Sequence, residues 1–307
     1  MSLNSLGTFI GVPMGLLIFL YMLYSFKKKI HLNGKVVLIT GANSGLGKAC
    51  AEIFHYHKCK VILCGRNKDS LERVKQELID LKVPASYKPE IVLVDLDDLS
   101  SIPQCCTEAI QVYGHIDILI NNAGISYRGE ITNTKLDVDV RLMTVNYFAQ
   151  IAIIKEILLN MKSRKTGSIV NISSVQGKIA IPYRSAYAAS KHALQSFSDT
   201  LRAEVAEDNI NVCVVSPAYI RTSLSQNAMC GDGSNYGVMD KTTQSGMDPS
   251  FVAKKVLLAV QTQQCEVTLA PIHYKLVIYL RSIFPHLYFK IMQLRTKSGK
   301  KDFQKKD

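Results

Sequence analysis

The chain has 307 residues, a formal net charge of +12 and 47% hydrophobic residues, with a pI near 9.2. It is long enough to bury a sizeable core in one α/β domain with extensions. Such a basic balance raises a nucleic-acid role, but the excess gathers in Lys27, Lys28 and Lys29 and in the tail from Arg295 to Lys306. Those runs flank apolar stretches and fit a membrane surface, with no nucleic acid as partner.

The first 26 residues carry no charged side chain, and Gly7–Phe26 is almost wholly apolar. As a helix it would span roughly 30 Å, the thickness of a bilayer core. Three lysines follow at once, and neither a basic leader nor a small-residue cleavage site is present. The expected organisation is therefore an uncleaved single-pass anchor over 1–26 and a basic linker over 27–34. A catalytic domain over 35–270 and an amphipathic basic extension over 271–307 would follow.

Lys35–Thr40 reads as a buried strand, followed by the glycine-rich Gly41-Ala-Asn-Ser-Gly45-Leu-Gly47 and a helical pattern. Strand, glycine turn and helix start together offer backbone N–H groups to a phosphate. Lys60–Gly65 is a second strand, ending in Gly65-Arg66-Asn67 where a carboxylate would select NAD(H). Arg66 stands there instead and suits a 2′-phosphate, so NADP(H) is favoured and NAD(H) stays open. A helix is expected over 68–83. Ile91–Leu96 is a third strand that carries Asp95, a partner for adenine. Ile116–Ile120 is a fourth, running into Asn121-Asn122-Ala123-Gly124. This alternation predicts an α/β doubly wound parallel sheet of about seven strands, covered on both faces.

Gly167–Ser174 continues the strand pattern, followed by a long helix over Ser185–Ala206. Tyr187 and Lys191 lie four apart on it, hence on one face. A nearby ammonium favours a phenolate, and Ser174 can hold a carbonyl oxygen; the trio suits carbonyl reduction. Strands are expected over Asn211–Ser216 and Glu266–Leu269, with a helix over Pro249–Gln261. Residues 223–247, rich in Gly, Ser, Asn and Met, read as a lid or as an exposed loop. Beyond Pro271, apolar and aromatic residues mix with sparse cations. They fit an interfacial amphipathic segment, or a helix packed on the domain or on a second subunit of a homo-oligomer. The eight cysteines show no ligand spacing and several fall in apolar runs, so reduced thiols are expected, with neither metal site nor disulfide framework. The sequon at Asn171 falls in a core strand, where a glycan has no room.

Thr40-Gly-x-x-x-Gly-x-Gly47, the Asn-Asn-Ala-Gly run at 121–124, Asn146 in Thr-Val-Asn-Tyr-Phe, Ser174 and Tyr187-x-x-x-Lys191 occur together and in order over roughly residues 33–270. In that combination the chain resembles the short-chain dehydrogenase/reductases. The resemblance implies a catalytic tetrad of Asn146, Ser174, Tyr187 and Lys191, with Asn146 supporting a water in a proton path to Lys191. It implies a cofactor site of Gly41, Ser44, Gly45, Leu46, Gly47, Arg66, Asp95 and Asn122, with Ile220 and Thr222 near the nicotinamide amide and pyrophosphate. Ala218 departs from the family's usual Pro-Gly.

The expected activity is NADP(H)-dependent interconversion of a carbonyl and an alcohol on a lipophilic substrate, such as a steroid, a retinoid or a lipid ketone. The alternative is a catalytically silent cofactor-binding membrane scaffold, against which the intact tetrad speaks. The expected location is the endoplasmic reticulum membrane, with the domain cytosolic from its flanking lysines, or else lumenal.

Overall fold

The computed structural model describes residues 29–304, with side chains through 297. The expected span over 1–26 lies outside the described residues. Residues 30–34 pack on the domain: Ile30 N donates to Gln261 O at 2.9 Å and Leu32 is buried.

Seven strands form one parallel sheet: β1 (Val36–Thr40), β2 (Lys60–Gly65), β3 (Glu90–Leu93), β4 (Ile118–Asn121), β6 (Gly167–Ile172), β7 (Ile210–Pro217) and β9 (Glu266–Leu269). Their order is β3-β2-β1-β4-β6-β7-β9. Buried on both sides, they read as continuous apolar runs. The period of two still shows. Val37 and Ile39 join one core with Val61, Leu63, Val170 and Val215, whereas Val36 and Leu38 join the other with Ile62, Ile169 and Val212.

The first core is closed by helices α1 (Gly45–Tyr56) and α8 (Pro249–Gln261), through Cys50, Phe54, Val252 and Val256. The second is closed by α3 (Ile102–Tyr113), α5 (Ala149–Arg164) and α6 (Ser185–Glu204), through Ile102, Ile153, Ile157 and Leu201. Helix α4 (Leu136–Met143) continues through a π-helical turn at Thr144–Phe148 into α5. The run Leu136–Ser163 is long and apolar enough to cross a bilayer, yet its Val138, Leu142, Ile153, Ile154 and Ile157 are core residues.

Boundaries depart from the sequence reading by one to three residues, for local reasons. Helix α2 (Lys68–Asp80) stops short of residue 83. Lys82 takes a positive φ of 49°, and Pro84 disfavours helix at the residue before it. Strand β3 stops at Leu93, where pairing with β2 ends. Between the first strands, chain order reverses from β1 to β4, and the crevice outside their carboxyl ends is the natural ligand site of such a sheet.

Two further features were not in the sequence reading. Strand β5 (Tyr127–Arg128) pairs in parallel with β8 (Met229–Cys230), which fastens the 223–247 segment to the domain. That segment also contains a short helix, α7 (Lys241–Gln244).

Helices α9 (Ile272–Ile283) and α10 (Pro285–Gln304) fold back over the domain. Tyr288 is buried, its hydroxyl donating to Ala180 O, and Tyr183 donates to Thr296 O at 3.3 Å. Of the readings for this extension, packing on the domain thus describes its inner face. Its outer face remains apolar and exposed at Ile272, Leu276, Ile283 and Leu294.

All eight cysteines are free, and burial pushes Cys50, Cys59, Cys106 and Cys213 up to about 12. Among the described residues, no group of three or more His, Cys, Asp or Glu could hold a metal ion. Asn171 is fully buried; its amide donates to Ser198 Oγ and its oxygen accepts from Asn121.

Candidate active site

The glycine turn after β1 is set by space as much as by flexibility. Gly41 has φ +64°, and a Cβ there would lie 2.9 Å from Ala123 Cα. A Cβ on Gly47 would meet Gly41 O at 2.1 Å and Asn122 Nδ2 at 2.6 Å. Only glycine lets α1 start this close to the turn. Ser44, the N-cap, makes no side-chain capping bond, so the first N–H groups of α1 face the crevice without that partner. A glycine turn pressed against an uncapped helix start, with no carboxylate in the turn, fits a pyrophosphate.

Asn122 lines the crevice where a ribose contact is expected, and its side chain is also structural. Its Nδ2 donates to Thr40 O at 3.0 Å and Gly41 O at 3.3 Å, so it braces the turn. Asp95 lines the crevice and accepts from Asp97 N at 3.1 Å. Arg66 is 64% exposed and stands 3.6 Å from Asp97. Arg141 already holds Asp97 in a fork, with both bonds at 2.9 Å. Leu46, Ile220 and Thr222 also line the crevice. Ala218 adopts no left-handed backbone and donates to Leu269 O at 2.8 Å, so the loop after β7 tolerates the missing glycine. Lys48, beside the turn, pairs with Glu77 across the helix surface.

The tetrad converges. Ser174, at the end of β6, and Tyr187 and Lys191, one turn apart on α6, line the same cavity, of about 880 Å³. All three are buried, and Asn146 is fully so. Asn146 lies in the π-helical turn, a distortion often found at functional sites. Its oxygen accepts from Ile125 N at 2.8 Å, and its amide donates to Ile125 O at 2.9 Å and Ser190 Oγ at 3.1 Å. The side chain thus joins the strand-end loop to α6.

Lys191 Nζ donates to Ile172 O at 2.9 Å and lies 5.9 Å from the Tyr187 ring centroid. Burial pulls its pKa down to about 8. Burial pushes Tyr187 above its ordinary value; Ser174, Arg128 and Arg184 pull it back, while Tyr219 raises it. Two arginines without a local sequence signal thus act on the phenol, and Lys191 stands beside its ring one turn along the helix.

The cavity is also lined by Ile179, Ile181 and Met229, and α9 and α10 add Val277, Ile291 and Met292 together with His273, Tyr274 and Arg295. These residues, and Arg128, carry no local sequence signal. Arg128 meets its carboxylate partner Asp240 112 residues away.

Comparison with known proteins agrees with this geometry. The family model for short chain dehydrogenases matches residues 35–231. A protein of Anopheles gambiae named dehydrogenase/reductase SDR family protein 7-like is 50% identical, over 93% of this chain and 90% of its own length. Dehydrogenase/reductase SDR family member 7B of Danio rerio is 46% identical over 97% of both. A Streptomyces avermitilis short-chain dehydrogenase superposes with a TM-score of 0.71 at 27% identity, over 86% of this chain and 97% of its own. A Burkholderia phymatum short chain dehydrogenase/reductase in complex with NAD shares the fold, with a TM-score of 0.74 at 22% identity, over 84% of this chain and 96% of its own. With the glycine cradle, the tetrad and the parallel sheet in place, the chain belongs to the short-chain dehydrogenase/reductase family and is an oxidoreductase.

Proposed function

We propose that the protein interconverts a carbonyl and a secondary alcohol on a lipophilic substrate, with NADP(H) as cofactor, at a membrane surface. The observation that carries this reading is one continuous cavity. It runs from the glycine turn past Ser174, Tyr187 and Lys191 to α9 and α10, where Val277, Ile291 and Met292 stand beside His273, Tyr274 and Arg295. When bound, NADP(H) supplies or accepts the hydride.

The residues of the chain do the rest. The N-terminus of α1 binds the pyrophosphate, and Arg66 turns to the 2′-phosphate. Lys191 holds the nicotinamide ribose. Ser174 donates to the substrate carbonyl oxygen and orients it. In the reducing direction Tyr187 gives its phenolic proton to that oxygen, and in the oxidising direction it takes the proton back. The aliphatic part of this lining, Ile179, Ile181, Met229, Val277, Ile291 and Met292, favours a steroid, a retinoid or a lipid ketone over a small hydrophilic carbonyl.

For the location, two features agree. The charge-free 1–26 segment has the length of an anchor. The outer face of α9–α10 presents Ile272, Leu276, Ile283 and Leu294 beside cations, and no Asp or Glu occurs between Glu266 and Asp302. Such a face suits anionic lipid.

The deciding experiment is NADPH oxidation by the full-length protein across a panel of steroid, retinal and long-chain ketone substrates, repeated with Tyr187→Phe. A general acid contributes about 10²–10⁴-fold. Tyr187→Phe should therefore lose turnover on that scale while NADPH still binds. Near wild-type turnover in the variant would refute the assignment.

A further inference from the structure

A charged cluster that the tetrad chemistry does not use joins Arg128, which lines the same cavity as Tyr187, to Arg184, the N-cap of the helix that carries Tyr187. Arg128 of β5 is 5% exposed and lines the substrate end of the cavity. It reaches Asp240 Oδ2 through Nε at 2.9 Å and Nη2 at 2.7 Å. Its Nη1 donates to Ser126 Oγ at 2.7 Å and to Tyr127 O at 2.8 Å. Arg184, three residues before Tyr187 at the start of α6, stands 3.6 Å from the same Asp240 oxygen. It donates to Tyr183 O, and its buried Nε has no hydrogen-bond partner among the described residues. Two guanidiniums thus share one carboxylate oxygen, leaving about one buried positive charge uncompensated.

We propose that the Arg128–Asp240–Arg184 cluster is a positioning element that acts electrostatically on the Tyr187 hydroxyl, with Asp240 setting how much of its charge is felt there. The inference rests on Tyr187 being the proton donor. The remaining groups around Tyr187 leave room for such a role. On its own helix Lys191 is engaged at Ile172 O. Ser174 faces it from the end of β6 and Tyr219 from the loop after β7. Val138 and Leu142 of α4 and Met229 of β8 share an apolar cluster with Tyr187 and Tyr127, and His273, Tyr274 and Arg295 of α9 and α10 line the same cavity. Tyr236 stacks on Arg128 at 5.8 Å, and Glu130 acts on Tyr183, one residue from Arg184. Asp240 is thus the carboxylate that contacts both arginines.

The cluster also signals its own imbalance. Burial and the neighbouring Arg128 guanidinium pull Arg184 down to about 10, against the pull of Asp240. Cations beside a phenol favour the phenolate. Removing one should raise the Tyr187 midpoint; removing the carboxylate should lower it. Loosening of the 223–247 segment would act otherwise. Burial is what raises Tyr187 most, so admitting water would lower the midpoint in every variant.

The test titrates Tyr187 directly and needs no substrate. Full-length protein in detergent micelles, saturated with NADP⁺, is labelled with [ζ-¹³C]tyrosine. The Tyr187 resonance is assigned by its loss in Tyr187→Phe and followed from about pH 6 to about pH 12, beyond the ordinary tyrosine value because burial raises this one; a variant still unionised at the upper limit counts as raised. Arg184→Gln should move its midpoint up by about one unit and Asp240→Asn down by a similar amount; Arg128→Lys, which keeps the charge, should leave it near wild type. Midpoints that do not move, or that move the same way in Arg184→Gln and Asp240→Asn, would overturn the proposal. If Arg184→Gln does not fold, Arg128→Gln takes its place: its midpoint should rise, and an unchanged or lowered one overturns the proposal. A loss of turnover in Tyr187→Phe bears on the catalytic assignment and is read separately.

Discussion

Arg66→Ala should erase a preference for NADPH over NADH, and the size of that preference follows from what Arg66 gives up and gains. In the structure Arg66 is 64% exposed and its ion-pair contact is with Asp97 at 3.6 Å. An exposed pair at that distance is worth roughly 0–1 kcal/mol. Arg141 meanwhile makes two bonds of 2.9 Å to Asp97 and holds its carboxyl below the ordinary range. The carboxylate therefore stays neutralised when Arg66 swings away. A hydrogen bond to a charged group contributes about 1.5–3 kcal/mol. The net gain is on the order of 0.5–3 kcal/mol, a roughly two- to 150-fold preference for NADPH. Calorimetric titration of both cofactors into wild type and Arg66→Ala measures it. Arg66→Ala should weaken NADPH by that factor and leave NADH nearly unchanged. Arg141→Ala, which frees Asp97 to recapture Arg66 and to repel the phosphate, should weaken NADPH in the same direction. Equal wild-type affinities, or an undiminished preference in Arg66→Ala, would show that Arg66 is a solvated residue at the start of α2.

Three further outcomes are expected. Lys191 has a folded pKa of about 8, below the unfolded value of about 10.4, so between those values the unfolded chain binds the extra proton and stability rises with pH. In cofactor-free protein the stability of wild type relative to Lys191→Met should climb by about 2 kcal/mol from pH 8 to pH 10; a flat difference in urea unfolding would contradict a buried, desolvated lysine. Gly47→Ala forces a Cβ into Gly41 O and the Asn122 amide. It should cost about 1–3 kcal/mol of stability in thermal unfolding and abolish measurable cofactor binding, and normal NADPH affinity in this variant would refute the cradle. For the outer face of α9–α10, a protein lacking residues 1–26 should still co-sediment with vesicles rich in phosphatidylserine at low salt and release at high salt. Leu276→Asp with Ile283→Asp should abolish this binding, and undiminished sedimentation of the double variant would exclude that face.

The sheet was legible because its strands are buried on both faces: runs such as Val36–Thr40 and Val61–Cys64 need no partner information to be read as core. The glycine cradle and the Tyr187–Lys191 pair were legible for a similar reason. Each is a local pattern, set by a turn that excludes a Cβ and by the 3.6-residue helical repeat. What lies across large sequence separations was not. The Arg128–Asp240 fork joins residues 112 apart, and Tyr288 reaches Ala180 over 108. In one dimension an isolated arginine and an isolated tyrosine look like solvated surface residues. Tertiary packing alone buries them, because only the closed fold brings the 223–247 segment and α10 against the start of the catalytic helix. The same packing added groups that act on Tyr187. Helical spacing put Lys191 on its face, but the strand end at Ile172 takes the lysine's hydrogen bond, and the low polarity of the buried site turns two distant arginines into its electrostatic neighbours.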